Sequence, residues 1–183
     1  MKLRKMTTIA ASALLVALAA CTPTRTTKSA GEGLDDGVIT TRVKAELARN
    51  DKTSALRTNV ETFRGTVQLN GFANSTEEKA EAGRVARSVP GVKRVDNNLK
   101  VDASRRSAGE FVDDKVIVTK VKADLIADPV VAGHEVTVEA HDGVVLLGGF
   151  VDSADQKAQA ERVASAVGGV KSVDNQISIK TRS

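Results

Sequence analysis

The chain has 183 residues, one cysteine, no tryptophan, no tyrosine and a formal net charge of +4. Three of its 27 basic residues, Lys2, Arg4 and Lys5, stand in the first five positions; without them 24 basic residues face 23 acidic ones, which removes the general field that a nucleic-acid partner would need. The lone cysteine excludes internal disulfides and cysteine-rich zinc sites, while an apolar fraction of 41% is sufficient for packed cores.

The basic start is followed by an apolar run from Ile9 to Ala20 and then Cys21. That run, of about 12 residues, is too short to cross a bilayer core of about 30 Å as a helix, but it suits a signal-peptide core. Leu18-Ala19-Ala20-Cys21 resembles a bacterial lipobox, in which the cysteine is acylated and becomes the first mature residue. Residues 1–20 are therefore expected to be a lipoprotein signal peptide and 21–35 a flexible, lipid-anchored tether. An ordinary signal-peptidase site, leaving Cys21 as a free thiol, is the alternative. By resemblance to lipoprotein sorting in Gram-negative envelopes, Thr22 implies the outer membrane, on its periplasmic side.

Shifting the chain by 78 positions aligns residues 29–101 with 107–179 without a gap, and about 34 of 73 positions are identical. GTVQLNGF at 65–72 recurs as GVVLLGGF at 143–150. The unit is a linker plus a small domain, giving domains at 36–102 and 114–180 joined by a linker at 103–113.

Each copy opens with apolar residues four apart, Ile39, Val43 and Leu47 or Ile117, Val121 and Leu125, which predicts an amphipathic helix. Two alternating segments follow, joined at Arg64-Gly65 or Asp142-Gly143, and predict a hairpin. Ser75 through Glu78 and Ser153 through Gln156 form a capping box. The helix it starts buries Ala82, Val85, Ala86 and Val89, or Ala160, Val163, Ala164 and Val167, and stops at Pro90-Gly91 or Gly168-Gly169. Val95, Leu99 and Val101, or Val173, Ile177 and Ile179, predict a last strand. The fold class is α+β: two tandem αββαβ sandwich domains, each a three-stranded mixed sheet packed against two helices.

On the second strand, Val67, Leu69 and Gly71 share a face expected to meet the helices, with Gly71 and Gly149 allowing close backbone approach. The opposite face is Thr66, Gln68 and Asn70 in the first copy but Val144, Leu146 and Gly148 in the second. Val144 and Leu146 therefore need a cover, either the other domain or a protein partner.

A leading helix with V-K-A-[ED]-L, a G-x-V-x-L-x-G-F hairpin and a closing G-V-K-x-V-D-N resemble the BON domain, the bacterial OsmY and nodulation family, twice over. With the lipobox, the chain resembles the outer-membrane lipoproteins that carry two such domains. The resemblance implies phospholipid association and support of envelope integrity or stress tolerance, with no catalytic reaction. The alternative is an envelope scaffold that binds a protein partner through the second domain.

The residues themselves predict no enzyme, cofactor or metal. His134 and His141 lie in the second copy opposite Leu56 and Phe63, without the further ligands a metal requires. Ser75 and Ser153 are explained by capping. Asp35-Asp36 and Asp113-Asp114 are read as favouring a helix N-terminus electrostatically.

Differences between the copies point to a surface. Gly33, Thr40 and Ala48 become Phe111, Val118 and Ile126; with Lys115 and Lys122 these form an apolar ridge edged by lysines, the composition of an interfacial helix face. Phe111, Lys115, Val118, Lys122 and Ile126 are the candidate lipid-binding residues. Alternatively, Phe111 staples the helix start while Val118 and Ile126 pack on the other domain. Residues 36–101 carry 12 basic and 8 acidic residues, and 114–179 carry 6 and 10. Arg42, Lys44, Arg49, Lys52 and Arg57 thus make the first domain a rival site for anionic lipid.

Overall fold

The computed structural model describes residues 30–103 and 108–180. The first repeat runs α1 (Ala30–Arg49), β1 (Thr58–Phe63), β2 (Thr66–Ala73), α2 (Thr76–Ser88), β3 (Arg94–Asn97) and β4 (Lys100–Val101). The second follows with α3 (Ala108–Ala127), β5 (Val136–His141), β6 (Val144–Val151), α4 (Ala154–Ser165), β7 (Ser172–Asn175) and β8 (Ser178–Ile179). Both leading helices reach back into the stretches read as tether and linker.

In each sheet the middle strand pairs antiparallel with the first and parallel with the last. The last strand is interrupted: β3 and β4 pair with β2 on either side of Asn70 and Gly71, as β7 and β8 do with β6. Gly71 has φ +123° and Gly149 φ +109°, so the central strand leaves the extended conformation where its neighbour breaks.

These glycines are needed, but not against the helices. A β carbon on Gly71 would lie 2.1 Å from the Arg57 carbonyl oxygen, and one on Gly149 would lie 2.1 Å from that of Glu135. The obstacle is the short 3-10 turn that leads into the neighbouring strand. The hairpins turn at Arg64-Gly65 and Asp142-Gly143, where all four residues have positive φ, the signature of a type I′ connection.

The Asp pairs also serve a different purpose from dipole compensation. Asp36 lies within α1, is buried, and accepts the backbone N–H groups of Arg64 at 2.7 Å and Gly65 at 2.9 Å. Asp114 does the same for Asp142 and Gly143, both at 3.1 Å. Each helix is thereby fastened to the hairpin turn, whose amides have no strand partner.

The caps form as the sequence predicts. Ser75 accepts the Glu78 N–H and Ser153 that of Gln156, while Glu78 and Gln156 reach back to the N–H of Asn74 and Asp152, one residue before the cap. A second clamp ties the end of each first helix to the next helix with its charge exchanged. Asn50 donates to the Glu81 carboxylate at 2.7 Å, whereas Gln159 donates to the Asp128 carboxylate at 2.7 Å.

Two separate cores result. Ile39, Val43, Leu47, Val60, Val67, Leu69 and Leu99 anchor the first, and Ile117, Val121, Leu125, Val136, Val145, Leu147 and Ile177 the second. The outer faces of the two sheets then pack on one another, so the molecule has four layers: helices, sheet, sheet, helices.

Candidate functional site

The sheet-to-sheet interface fixes which parts of the two domains lie at the same end. Phe63, before the first hairpin turn, stacks on Phe150 near the end of β6, with ring centroids 5.5 Å apart. Phe72, near the end of β2, contacts His141 before the second turn at 5.1 Å. Phe63 and His141 are equivalent positions of the repeat, as are Phe72 and Phe150. The two contacts are therefore one contact made twice about a pseudo-two-fold axis, and β2 and β6 run in opposite directions.

The equivalent pairs have diverged into unlike chemistry. His141 Nδ1 lies 3.0 Å from the Asp102 carboxylate. At the other end, Lys180, the counterpart of Asp102, lies 5.9 Å from the Phe63 ring centroid and bonds Glu135 at 2.7 Å. Burial works against the Lys180 charge, but the hydrogen bonds and charges of Glu135 and Asp152 outweigh it and hold the ammonium above the ordinary lysine range. Gln68 is fully buried; it donates to Ser178 Oγ at 2.9 Å and accepts the Gly149 N–H at 2.6 Å. Asn59 bridges to Glu139, and Lys100 to Asp174 at 2.7 Å.

The apolar face of the second sheet is covered by this arrangement. Leu146 is 3% exposed and Val144 half-buried, and the cover is the sister domain.

The four described candidate lipid residues, Lys115, Val118, Lys122 and Ile126, do not form one surface. Cys21 and the Phe111 side chain lie outside what the structure describes. Val118 packs against the second core. Its counterpart Thr40 bonds the Thr62 hydroxyl at 2.7 Å, and Thr62 has become Ala140, so a polar pair was replaced together by an apolar one. Lys122 donates to the carbonyls of Gly133, at 2.9 Å, and Val136. Burial lowers its ammonium below the ordinary lysine range, with the Glu61 carboxylate opposing. Lys115 is exposed, and Ile126 is 59% exposed.

Ile126 has neighbours that the helical spacing did not reveal. Pro129 is exposed and Val130 is 47% exposed in the loop after α3. The counterparts in the first domain are Ala48, Asp51 and Lys52, so an apolar tip stands where the first copy is charged. The signal was present as a second substitution cluster beyond the helix, at Pro129 and Val130.

Because the domains are antiparallel, this tip shares an end of the molecule with the first hairpin turn. Leu125 and Ile126 approach Gly133, and the turn at Gly133 to Glu135 abuts Gly149 near the end of β6; Phe150 there meets Phe63. The start of α1 is at the same end, since Asp36 is fixed to Arg64 and Gly65. So is a cleft of about 450 Å³ whose lining includes Val38, Ile39, Arg42, Arg64, Pro90 and Lys93. The second domain has the equivalent cleft at the opposite end, also of about 450 Å³.

Among the described residues no cluster of three or more histidine, cysteine or acidic side chains is placed to hold a metal, and no helix is long and apolar enough to cross a membrane. The BON domain family model matches residues 35–103 and again 113–181. The chain belongs to the BON-domain family. It is 41% identical over 151 residues to the osmotically-inducible protein Y of Escherichia coli strain K12, covering 82% of this chain and 75% of that protein. It is 31% identical over 159 residues to the outer membrane lipoprotein DolP of Haemophilus influenzae, covering 86% and 80%. It is also 32% identical over 147 residues to a 21 kDa hemolysin of Actinobacillus pleuropneumoniae, covering 80% and 75%. In BON-domain terms, each match takes in one αββαβ unit, and the tip and the cleft beside the first hairpin turn belong to different units.

Proposed function

We propose that this protein is a non-catalytic envelope lipoprotein, anchored through Cys21 on the periplasmic side of the outer membrane, whose second BON domain touches the phospholipid surface and which supports envelope integrity under osmotic stress. The observation that carries the reading is the placement of the exposed apolar tip, Ile126, Pro129 and Val130, at the end of the molecule where α1 begins. An anchor at Cys21 leads into that end, so tether and tip meet one membrane plane. Linkage raises the effective concentration of the tip at the surface, and it need bind only weakly by itself. The names of the osmotically-inducible and outer membrane lipoprotein relatives support the envelope setting. Within the tip, Ile126 and Val130 supply the apolar contact. A scaffold that docks a protein on Val144 and Leu146 would first require the two domains to part.

The test is sedimentation of residues 22–183 with phosphatidylcholine vesicles, with and without phosphatidylglycerol. Ile126→Asp and Val130→Asp together are expected to abolish co-sedimentation, whereas Ala48→Asp at the equivalent position of the first domain leaves it unchanged. Equal sedimentation of all three proteins would overturn the tip as the contact. For the anchor, Cys21→Ala is expected to eliminate fatty-acid labelling of the full chain.

A further inference from the structure

The duplication lets each surface residue be compared with its own copy, and most exposed positions have changed. Outside the clefts, sixteen positions are exposed in both copies and three are identical: Thr41, Ala80 and Arg84, recurring as Thr119, Ala158 and Arg162. Thr41 and Thr119 bond carbonyls of their own helices, and Arg84 and Arg162 bond Glu81 and Gln159 there. Six exposed positions line the first cleft, and four are identical in the second copy: Asp35, Val38, Gly91 and Lys93 recur as Asp113, Val116, Gly169 and Lys171. Of the other two, Arg42 becomes another cation, Lys120, and Pro90 becomes Gly168.

The fold accounts for part of this agreement. Gly91 and Gly169 have φ +94° and +97°, and Asp36 and Asp114, deeper in the clefts, hold the hairpin turns. It does not account for Val38 and Val116, which are 47% and 45% exposed. Nor does it account for the charges. Among the described residues, the side chains of Asp35 and Lys93, and of Asp113 and Lys171, make no hydrogen bond or ion pair. Opposite charges therefore line each cleft without neutralising one another. The glycine wall brings a branched side chain to the surface of the cleft: a β carbon on Gly91 would lie 3.1 Å from Ile39, and one on Gly169 3.3 Å from Ile117.

We propose that each cleft binds a small aliphatic amino acid as its zwitterion. Its ammonium meets Asp35 or Asp113 and its carboxylate Lys93 or Lys171, while its side chain lies against Val38 and Ile39 or Val116 and Ile117. A ligand of one sign would satisfy one of the two charges and leave the other facing it; a zwitterion makes a charge-assisted hydrogen bond with each. A volume of about 450 Å³ in both copies falls among small-molecule clefts. Because the two clefts lie at opposite ends of the molecule, the site does not depend on the membrane reading above.

The experiment is backbone NMR of the full chain in uncharged maltoside micelles, titrated with leucine to the limit of its solubility. Saturable shifts are expected at the Gly65 and Gly91 amides and equally at those of Gly143 and Gly169. Leucinamide, which lacks the carboxylate, and isocaproate, which lacks the ammonium, are each expected to bind about tenfold more weakly. Lys93→Met and Asp35→Asn are expected to weaken the response at Gly65 and Gly91 by about the same factor and to leave Gly143 and Gly169 as they were. Lys171→Met is expected to do the reverse, so the untouched cleft reports in each case that the protein is folded. Silence in both clefts, a response in one cleft alone, equal binding of the three compounds, or indifference to these substitutions would overturn the site.

Discussion

Asn70 and Gly148 are equivalent residues of the two repeats, and they face each other where the sheets meet: a β carbon on Gly148 would lie 2.3 Å from Asn70 Nδ2. A residue near a pseudo-two-fold axis meets its own counterpart. Two asparagines would collide there and two glycines would leave a gap, so the copies had to differ. The asparagine also belongs to a buried network, donating to Gln68 at 2.9 Å and accepting from Asn98 at 3.2 Å.

Gly148→Asn is therefore expected to destabilise the protein by about 1–3 kcal/mol through overpacking. The exchanged pair, Asn70→Gly with Gly148→Asn, is expected to recover part of the loss. Thermal unfolding checks both, at about 2–4 °C per kcal/mol for a chain of this size.

Gly71→Ala and Gly149→Ala combine positive φ with a β carbon set against a backbone oxygen. Each is expected to cost about 3 kcal/mol or more in urea denaturation. Gly37, inside α1, has nothing within 4 Å of its β carbon. Gly37→Ala is expected to stabilise by about 0.5–1 kcal/mol.

The two half-buried lysines, Lys122 and Lys180, are expected to respond oppositely to alkali. Lys122 titrates below the ordinary lysine range in the folded state, so its contribution to stability rises as pH climbs from its folded pKa to its unfolded one. Lys180 titrates above that range; its contribution is complete below the unfolded pKa and is lost as pH passes upward through the folded one. Side-chain NMR titration should find Lys122 losing its proton first and Lys180 last. Lys180→Met is expected to flatten the stability loss at high pH.

Glu81 is held down to about 2, first by its hydrogen bond with Arg84, at 2.6 Å, and next by Asn50. Its stabilising contribution is present above the unfolded carboxylate range and lost as pH falls toward 2. In a carboxylate titration, Arg84→Ala is expected to raise the Glu81 midpoint more than Asn50→Ala does.

Much of this was legible from periodicity. Ile39, Val43 and Leu47 are buried as their spacing predicts, and Ser75 and Ser153 cap as their motif predicts. The misreadings share one cause. Glycine at 71 announces that a β carbon is forbidden, but not that the Arg57 carbonyl forbids it; Asp36 reads as an acid favouring a helix N-terminus, and nothing local says that its partners lie 28 and 29 residues onward. Val118, on α3, read as a surface change because its partner substitution, Thr62 to Ala140, lies on a strand 22 residues onward.

The sequence by itself determined that there are two copies of one unit, the order of helices and strands in each, and the face each element turns to its core. These follow from local period and turn chemistry, which act within a few residues. Only the tertiary structure decided that the sheets stack with β2 and β6 opposed, and hence that the apolar tip of the second domain and the hairpin turn of the first share an end. That choice rests on contacts such as Phe63 with Phe150 and Asn70 with Gly148, between residues nearly 80 positions or more apart, which no local pattern encodes.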